Sequence, residues 1–480
     1  MQVRFWGVRG SLAKPGLSTL RYGGNTPCVQ VLMDDGRRII FDCGTGIHDL
    51  GQEMMRSGEN PIKANLLITH THWDHIQGFP FFAPLFVPGN EVNIYGPGRM
   101  GQELSNTLSG QMIYSYFPVN LDSLGATVKF MDLGEGVFEV DGVHVSACYT
   151  NHPSLTLCYA LETGGVKIVY IPDHEPHSLH SMGSEIGVFP IHHEDQDHVK
   201  FMEGADLIIH DAQYTLEEYS SKVGWGHSPY EKVVDYAIAA RAKRLALFHH
   251  DPLRNDEEMD ELVEKARQRA NGAEFVPEVF AAEDNLVIEL AEDPKAKIPV
   301  VSKKESALLA GSSPEREKKV LIVDDDRQMN RLLEATLQEE EGIRFLHAYD
   351  GKEAVKVACD ELPDLIILDL ELPGMHGLDV CRAIRGNENP DLNDVAIIVV
   401  TGKRFEQNDV LECFAAGATD YMTKEFAVSG LRSRVRGWLM RSSFNIDRRR
   451  AWRRSGDVRR MIEEERRASK GRRTSDKMDS

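Results

Sequence analysis

The apolar and polar positions divide the chain into two textures, and short strands dominate the first. Residues 2–6 and 28–33 alternate or run apolar, as strands do. Between them the glycine-rich stretch Gly7 to Thr26 is read either as an ordinary connection or as a loop approaching a site. The run from Arg38 to Phe41 is a buried strand closed by the turn Cys43-Gly44-Thr45-Gly46, and 64–69 is another. Residues 76–86 are apolar but carry Pro80 and Pro84, which fits a loop or short helix. A strand and turn follow at 91–98. The helical stretch at 99–125 is expected to pack Tyr114, Tyr116 and Phe117 in the core rather than over a pocket. Further strands are predicted at 127–132, 137–140, 143–149, 156–161, 166–171, 206–212, 244–248 and 286–290, with helices at 233–240 and 256–270. Ser228 and Glu231 have capping-box spacing, so Ser228 is the expected N-cap and Pro229 the first helical residue. This pattern predicts two stacked β-sheets covered by helices on their outer faces.

Past residue 290 the texture changes. Residues 291–317 have linker composition. From 318 to 440, buried strands at 320–326, 365–370, 397–402 and 420–424 alternate with helical stretches at 327–340, 351–360, 377–386, 406–416 and 427–440. That alternation predicts a doubly wound parallel sheet, whose chemistry sits at the carboxyl ends of its strands. Residues 441–480 are a tail of arginine pairs, read as a solvated, partly helical segment folding onto an acidic body. The expected division is 1–290, a linker at 291–317, 318–440, and the tail; both folded parts are of α/β class.

Composition changes this picture at three points. The net charge of -20 argues against nonspecific nucleic-acid binding by the whole surface. It leaves an anionic substrate open, because bound dications dominate the field locally. Seven scattered cysteines without a Cys-x-x-Cys are expected to be reduced, in a cytoplasmic protein. The first residues read as a strand rather than a signal peptide, and no apolar run approaches membrane-span length.

The densest chemistry is the string Thr69-His70-Thr71-His72-Trp73-Asp74-His75. Residues two apart on an extended segment face one side, so His70 and His72 can grip one cation. Asp74 and His75 lie where the chain turns and would face a second. Imidazole and carboxylate suit zinc, manganese or iron(II). Residues 174–198 are also histidine-rich, with His174, His177, His180, His192, His193 and His198. A further metal site there is conceivable; a polar insertion beside the pocket is the default reading.

The string resembles the metallo-β-lactamase superfamily. The resemblance extends to His152, Asp173 and His249, each at an expected strand end and in the expected order. It implies an αββα sandwich with two divalent transition metals, zinc first, with manganese or iron as alternatives. His70, His72 and His152 would hold one ion; Asp74, His75 and His249 the other; Asp173 would bridge. His250 is a rival to His249, and Asp42 is expected to brace the ligand loop rather than bind metal. Oxygen-reducing members carry a carboxylate where this chain has His72, so hydrolysis is favoured over redox chemistry. The segment Gly226-His227-Ser228 resembles that of ribonuclease Z-like phosphodiesterases, which makes His227 the candidate proton donor, aided by Asp211. Asp74 and His227 are the candidate catalytic residues.

The second part resembles the receiver domain of bacterial two-component systems. The resemblance implies Mg²⁺ on Asp324, Asp325 and Asp369, with phosphorylation of Asp369. Thr401 and Lys424 would contact the phosphoryl oxygens, and Tyr421 is the switch aromatic. Glu425 stands where a proline is usual. The implied protein is a dinuclear phosphodiesterase acting on a cyclic nucleotide or similar small phosphodiester, regulated through its receiver by a histidine kinase or phosphotransfer protein. No membrane partner is expected, and a homodimer is compatible. The alternatives are a ribonuclease Z-like nuclease, a lactone or thioester hydrolase, and a non-catalytic signalling scaffold.

Overall fold

The computed structural model describes residues 1–97, 104–177, 193–219, 221–222, 224–291, 317–338, 342–387, 389–393, 395–402, 412–413, 416–424, 431–432, 434–435 and 437–439. The linker expected at 291–317 and the tail at 441–480 lie outside these residues, except Ala291 and Glu317. So do most of the helical stretch at 406–416, half of that at 427–440, Glu425, His180 and His192. The chain divides into two compact units between Pro314 and Glu315.

The first unit is built on two mixed sheets. One uses β1 (Gln2–Gly7), β2 (Cys28–Leu32), β3 (Arg38–Phe41), β4 (Lys63–Leu67), β5 (Glu91–Pro97) and β6 (Thr127–Leu133) in that order. The other uses β7 (Gly136–Val140), β8 (Val143–Tyr149), β9 (Leu157–Thr163), β10 (Val166–Ile171), β11 (Leu207–Asp211), β12 (Arg244–Phe248) and β13 (Glu278–Ala281). Then β14 (Val287–Glu289) returns to pair with β1. In each sheet an antiparallel start gives way to parallel strands, from β3 to β6 and from β10 to β13.

Strand alternation decides what each face buries. In β12, Leu245 and Leu247 pack outward with helices Tyr230–Ala239 and Asp256–Ala270. Phe248 points the other way, into an inner layer of rings. There Phe41 and Tyr170 stack at 4.6 Å, and Phe248 meets Tyr170 at 5.6 Å and Phe5 at 6.2 Å. The first sheet packs Trp6, Ile40, Leu66 and Ile94 against helix Ile47–Arg56. The result is the expected sandwich, helices outside and an aromatic seam within.

Several local expectations differ from the structure. The described part of 99–125 is helical only at Leu104–Gly110 and, as a 3₁₀ turn, at Leu121–Ser123. Tyr114 and Tyr116 are exposed, at 90% and 78%, so they are not core residues; Phe117 does pack against the core. The helix after Ser228 starts at Tyr230, with Pro229 at the cap position and no side-chain cap bond. Instead the Ser228 hydroxyl donates to the carbonyl of His174 at 2.6 Å, and its N–H donates to Asp211. A true capping box forms elsewhere, between Asn255 and Glu258.

The second unit is a five-stranded parallel sheet in the order β16-β15-β17-β18-β19. Its strands are β15 (Lys318–Val323), β16 (Ile343–Ala348), β17 (Leu365–Leu368), β18 (Ala396–Thr401) and β19 (Asp420–Thr423). The order reverses between β15 and β17, and in such sheets that switch point opens the ligand crevice at the carboxyl ends. Asp326 and Asp350 cap helices Arg327–Leu337 and Gly351–Glu361 through N–H bonds to their carboxylates.

Candidate metal centre

The two ligand-type sets and Asp211 leave carboxyl ends of strands. The segment after β4 carries His70 to His75, with Asp74 and His75 on the short helix Trp73–Ile76. His152 follows β8, Asp173 follows β10, Asp211 ends β11 and His249 follows β12. Both sheets therefore contribute to one edge of the sandwich.

Asp173 stands between two sets. Its Oδ2 is 3.5 Å from Nε2 of His70 and 3.6 Å from Nε2 of His152, whose Nε2 is 3.1 Å from Nδ1 of His72. Its Oδ1 is 3.2 Å from Nε2 of His75 and 3.4 Å from Nε2 of His249. Oδ2 of Asp74 is 3.3 and 3.1 Å from those same two nitrogens. His70, His72, His152 and Asp173 thus form one group, and Asp74, His75 and His249 another. His249 faces this cluster, whereas Nε2 of His250 turns away to the carbonyl of Ala282 at 2.8 Å.

The donor set fits metal. Nε2 of His70 is buried without a hydrogen-bond partner, as is Oδ1 of Asp173. Three rings have their far nitrogen engaged: Nδ1 of His75 on Asp42 (2.9 Å), of His249 on Gln213 (3.1 Å) and of His152 on the Gly226 carbonyl (2.9 Å). With an ion bound, an N–H donated outward leaves the Nε2 lone pair facing inward, the tautomer a ligand needs; with none, burial pushes His75 down but Asp74, Asp173 and Asp42 outweigh it and hold the ring well above its ordinary range. Burial holds His70 well below its ordinary range, with neighbouring His75 adding to the effect, and burial takes His152 down to about 3. Both are neutral and ligand-competent. Burial pushes the Asp173 and Asp74 carboxyls up, but the surrounding imidazoles, His249 and His75 foremost, overcome it and hold both well below the carboxylate range.

The supports are specific. Asp42, fully buried with φ 55°, accepts from the Thr69 N–H and hydroxyl, from His75 and from the Tyr170 hydroxyl. It braces the ligand loop and links it to the second sheet. The glycine-rich stretch at 7–26 does approach the site. The Ser11 N–H donates to Asp74 at 2.8 Å, and a β-carbon on Gly10 would lie 2.4 Å from Nδ1 of His249. Sequence reasoning missed Arg9, Gln213 and Glu175. Arg9 is buried and ties the loop to carbonyls of Gly23, Asp251 and Arg254. Glu175 accepts from the Tyr219 hydroxyl and the N–H groups of Gly224 and Gly226, so it shapes the turn whose Gly226 carbonyl orients His152. No spacing rule joins Glu175 to residues so far along the chain.

His227 lies beside the shared carboxylate. Its Nδ1 is 3.2 Å from Asp211 and 3.9 Å from Asp173, and its ring stacks on His249 at 4.9 Å. Burial pushes His227 down; the Asp211 charge and hydrogen bond, then Asp173 and Asp74, outweigh it and hold the ring up at about 9. Ions in the cluster would oppose that rise.

The second unit gathers its acids at the switch point. Asp324, Asp325 and Asp369 are close enough to share one ion. Nζ of Lys424 is 2.7 Å from Asp324 and 2.9 Å from Asp369. Burial and then the Asp369 charge raise the Asp324 carboxyl, against the pull of Lys424. Thr401 is buried at the end of β18, its carbonyl accepting from the Lys424 N–H, and Tyr421 lies on β19.

Comparison with known proteins agrees with this division. Residues 37–250 match the Beta-lactamase superfamily domain, and residues 320–436 match the Response regulator receiver domain. Among solved structures, the short form of human tRNase Z is 22% identical, covering 61% of this chain and 100% of that one, with a TM-score of 0.42. A diphosphatase from the PhnP family is 19% identical over 61% of this chain and 98% of that one, with a TM-score of 0.41. The chemotaxis response regulator CheY4 of Vibrio cholerae is 29% identical over 25% of this chain and 98% of its own, with a TM-score of 0.23. No helix among the described residues is long and apolar enough to cross a membrane. The chain is a metallo-β-lactamase superfamily domain fused to a response regulator receiver domain.

Proposed function

We propose that the first unit is a dinuclear phosphodiesterase acting on a small nucleotide diester, with cyclic nucleotides as the favoured class. A metallo-β-lactamase fold with a buried His/Asp cluster already suggests a metal-dependent hydrolase. The observation that carries the finer reading is Asp173 between two ligand sets, with His227 beside it on Asp211. His70, His72 and His152 hold one divalent ion, and Asp74, His75 and His249 the other, with Asp173 shared; zinc is first choice for the nitrogen-rich set. Such ions, when bound, supply Lewis acidity at a phosphoryl oxygen and lower the pKa of water. His227 donates a proton to the leaving alkoxide, and Asp211 holds the ring in position while it does so. Incubation of the metal-loaded protein with bis-p-nitrophenyl phosphate, cyclic nucleotides, cyclic dinucleotides, a tRNA precursor and lactones tests the reading. Turnover of cyclic nucleotides above the rest is expected; turnover of lactones alone overturns it.

Two exposed indoles support a nucleotide. Trp73 directly follows His72, and Trp225 directly precedes Gly226 and His227; they are 77% and 56% exposed. Lys222 Nζ sits 4.0 Å over the Trp225 ring. Exposed rings beside a site are stacking platforms for bases, worth about 1–3 kcal/mol each. Trp225→Ala is expected to raise KM for a cyclic nucleotide about tenfold with kcat little changed. An unaltered KM speaks against base stacking there.

The second unit is the regulatory input. Asp324, Asp325 and Asp369 hold Mg²⁺, Asp369 takes the phosphoryl group from a histidine kinase, Lys424 and Thr401 contact it, and Tyr421 responds. Acetyl phosphate or beryllofluoride with Mg²⁺ is expected to change kcat/KM of the hydrolase by roughly 5–150-fold, the usual span of allosteric coupling, and to leave Asp369→Ala unchanged. Flat kinetics in protein shown by mass to be phosphorylated overturn the coupling.

A further inference from the structure

Behind the metal centre lies a second knot of histidines. His174 and His177 follow Asp173 out of β10; Asp195 and His198 come from helix His193–Met202; His210 comes from β11. His174, Asp195, His198 and His210 are each at most 5% exposed. The sequence leads one to expect a polar insertion beside the pocket; these four side chains are polar but buried. Ligand-type atoms of His174, His177 and Asp195 lie within 4.8 Å of one another. Nδ1 of His177 is 3.1 Å from Oδ1 of Asp195. The His174 ring stacks on His198 with centroids 3.8 Å apart and planes 8° apart. His198 in turn meets His210, Nε2 to Nε2, at 3.0 Å, and Nδ1 of His210 donates to the Asp211 carbonyl at 2.7 Å.

The catalytic cluster supplies the yardstick. Its neighbouring ligand atoms are 3.1 to 3.6 Å apart. A tetrahedral ion with bonds of about 2.0–2.1 Å requires edges of about 3.3 Å. The edge between His177 and Asp195 is of the same length. We propose that His174, His177 and Asp195 hold a further divalent ion, zinc by its donor set, with His198 and His210 fixing the ring of His174 from behind. The set is nitrogen-rich and has one carboxylate, which suits zinc better than Mg²⁺ or Ca²⁺. Some contacts compete with metal: Oδ1 of Asp195 accepts from the His177 N–H at 2.9 Å and from Nδ1 of His177 when that nitrogen carries a proton, and the Asn151 N–H lies 3.3 Å from Nδ1 of His174 and pairs best with a lone pair there. Ligation through Nε2 moves the proton to Nδ1 and gives up that long, weak bond, against a full set of coordinate bonds gained. The ion is structural. It ties the segment carrying Asp173 and Glu175 to helix His193–Met202, while the machinery at His227 and the paired ligand sets stays separate.

Metal analysis of the purified full chain tests this without any turnover measurement. Wild type, His177→Ala and Asp195→Asn are compared, each chelated, reloaded with zinc and gel-filtered. Both variants are expected to hold one equivalent less than wild type. That difference is read whatever the catalytic cluster itself retains, so failure of the dinuclear reading leaves it interpretable. Asp195→Asn preserves side-chain size, and circular dichroism selects the folded fraction for counting. Equal metal in all three proteins overturns the site and leaves a hydrogen-bonded network of neutral histidines.

Discussion

Asp173→Ala is expected to purify depleted of transition metal and nearly inactive. The two carboxylate oxygens face different sets, Oδ2 toward His70 and His152 and Oδ1 toward His75 and His249. One substitution therefore removes a ligand from each set. Asp74 is then the one carboxylate left among the two ligand sets to balance two dications, and the loss should exceed the roughly 10–100-fold that follows removal of an outer-shell partner. Metal content by mass spectrometry and turnover of a diester should fall together. A variant with full metal and full activity would falsify the assignment of Asp173 as the shared ligand.

His227→Ala is the complementary case. The metals should stay, since the ring's shortest polar contact is Asp211 rather than any member of the two ligand sets. Turnover of diesters with alkoxide leaving groups should drop by roughly 10²–10⁴-fold, the usual contribution of a general acid. Bis-p-nitrophenyl phosphate should suffer much less, because p-nitrophenolate leaves without a proton. Equal losses on both kinds of substrate would instead make His227 a positioning residue. Loss of metal would make it a ligand, as its grouping with Asp173 and His249 also allows.

Much of this was legible in the sequence where the determinant is local. Period-two alternation marks β8, a continuous apolar run after Lys167 marks β10, and four ligand-type residues within His70 to His75 are dense enough to read without a fold. What stayed hidden depends on partners far along the chain. Ser228 has the spacing of a cap, yet its hydroxyl is drawn to the His174 carbonyl, a contact only the folded sheet creates. Glu175 and Gln213 look like loop residues until their partners at 219–226 and 249 arrive. β16 is hard to see in the sequence because most of its Ile343–Ala348 run is only partly buried, with Arg344 exposed, so this edge strand shows no continuous apolar signal. β13 is a four-residue edge strand and too short to read. Tyr114 and Tyr116 have the composition of core residues, but their position on the fold leaves them exposed.

The placement of the ligands on both sheets has a consequence outside catalysis. His70 to His75 hang from the first sheet, and His152, Asp173 and His249 from the second. Ions gripped there would act as rivets across the sandwich, closing chain loops that run from the first histidine of the string to the last strand before helix Asp256–Ala270. Their binding free energy is then also folding free energy. In a cell the supply of metal would set how much of the N-terminal unit survives proteolysis, and not only how fast it turns over. The receiver, with its own separate core, would be spared that dependence. On the proposed coupling, a starved cell would accumulate chains whose receiver still takes the phosphoryl group while the hydrolase unit is lost.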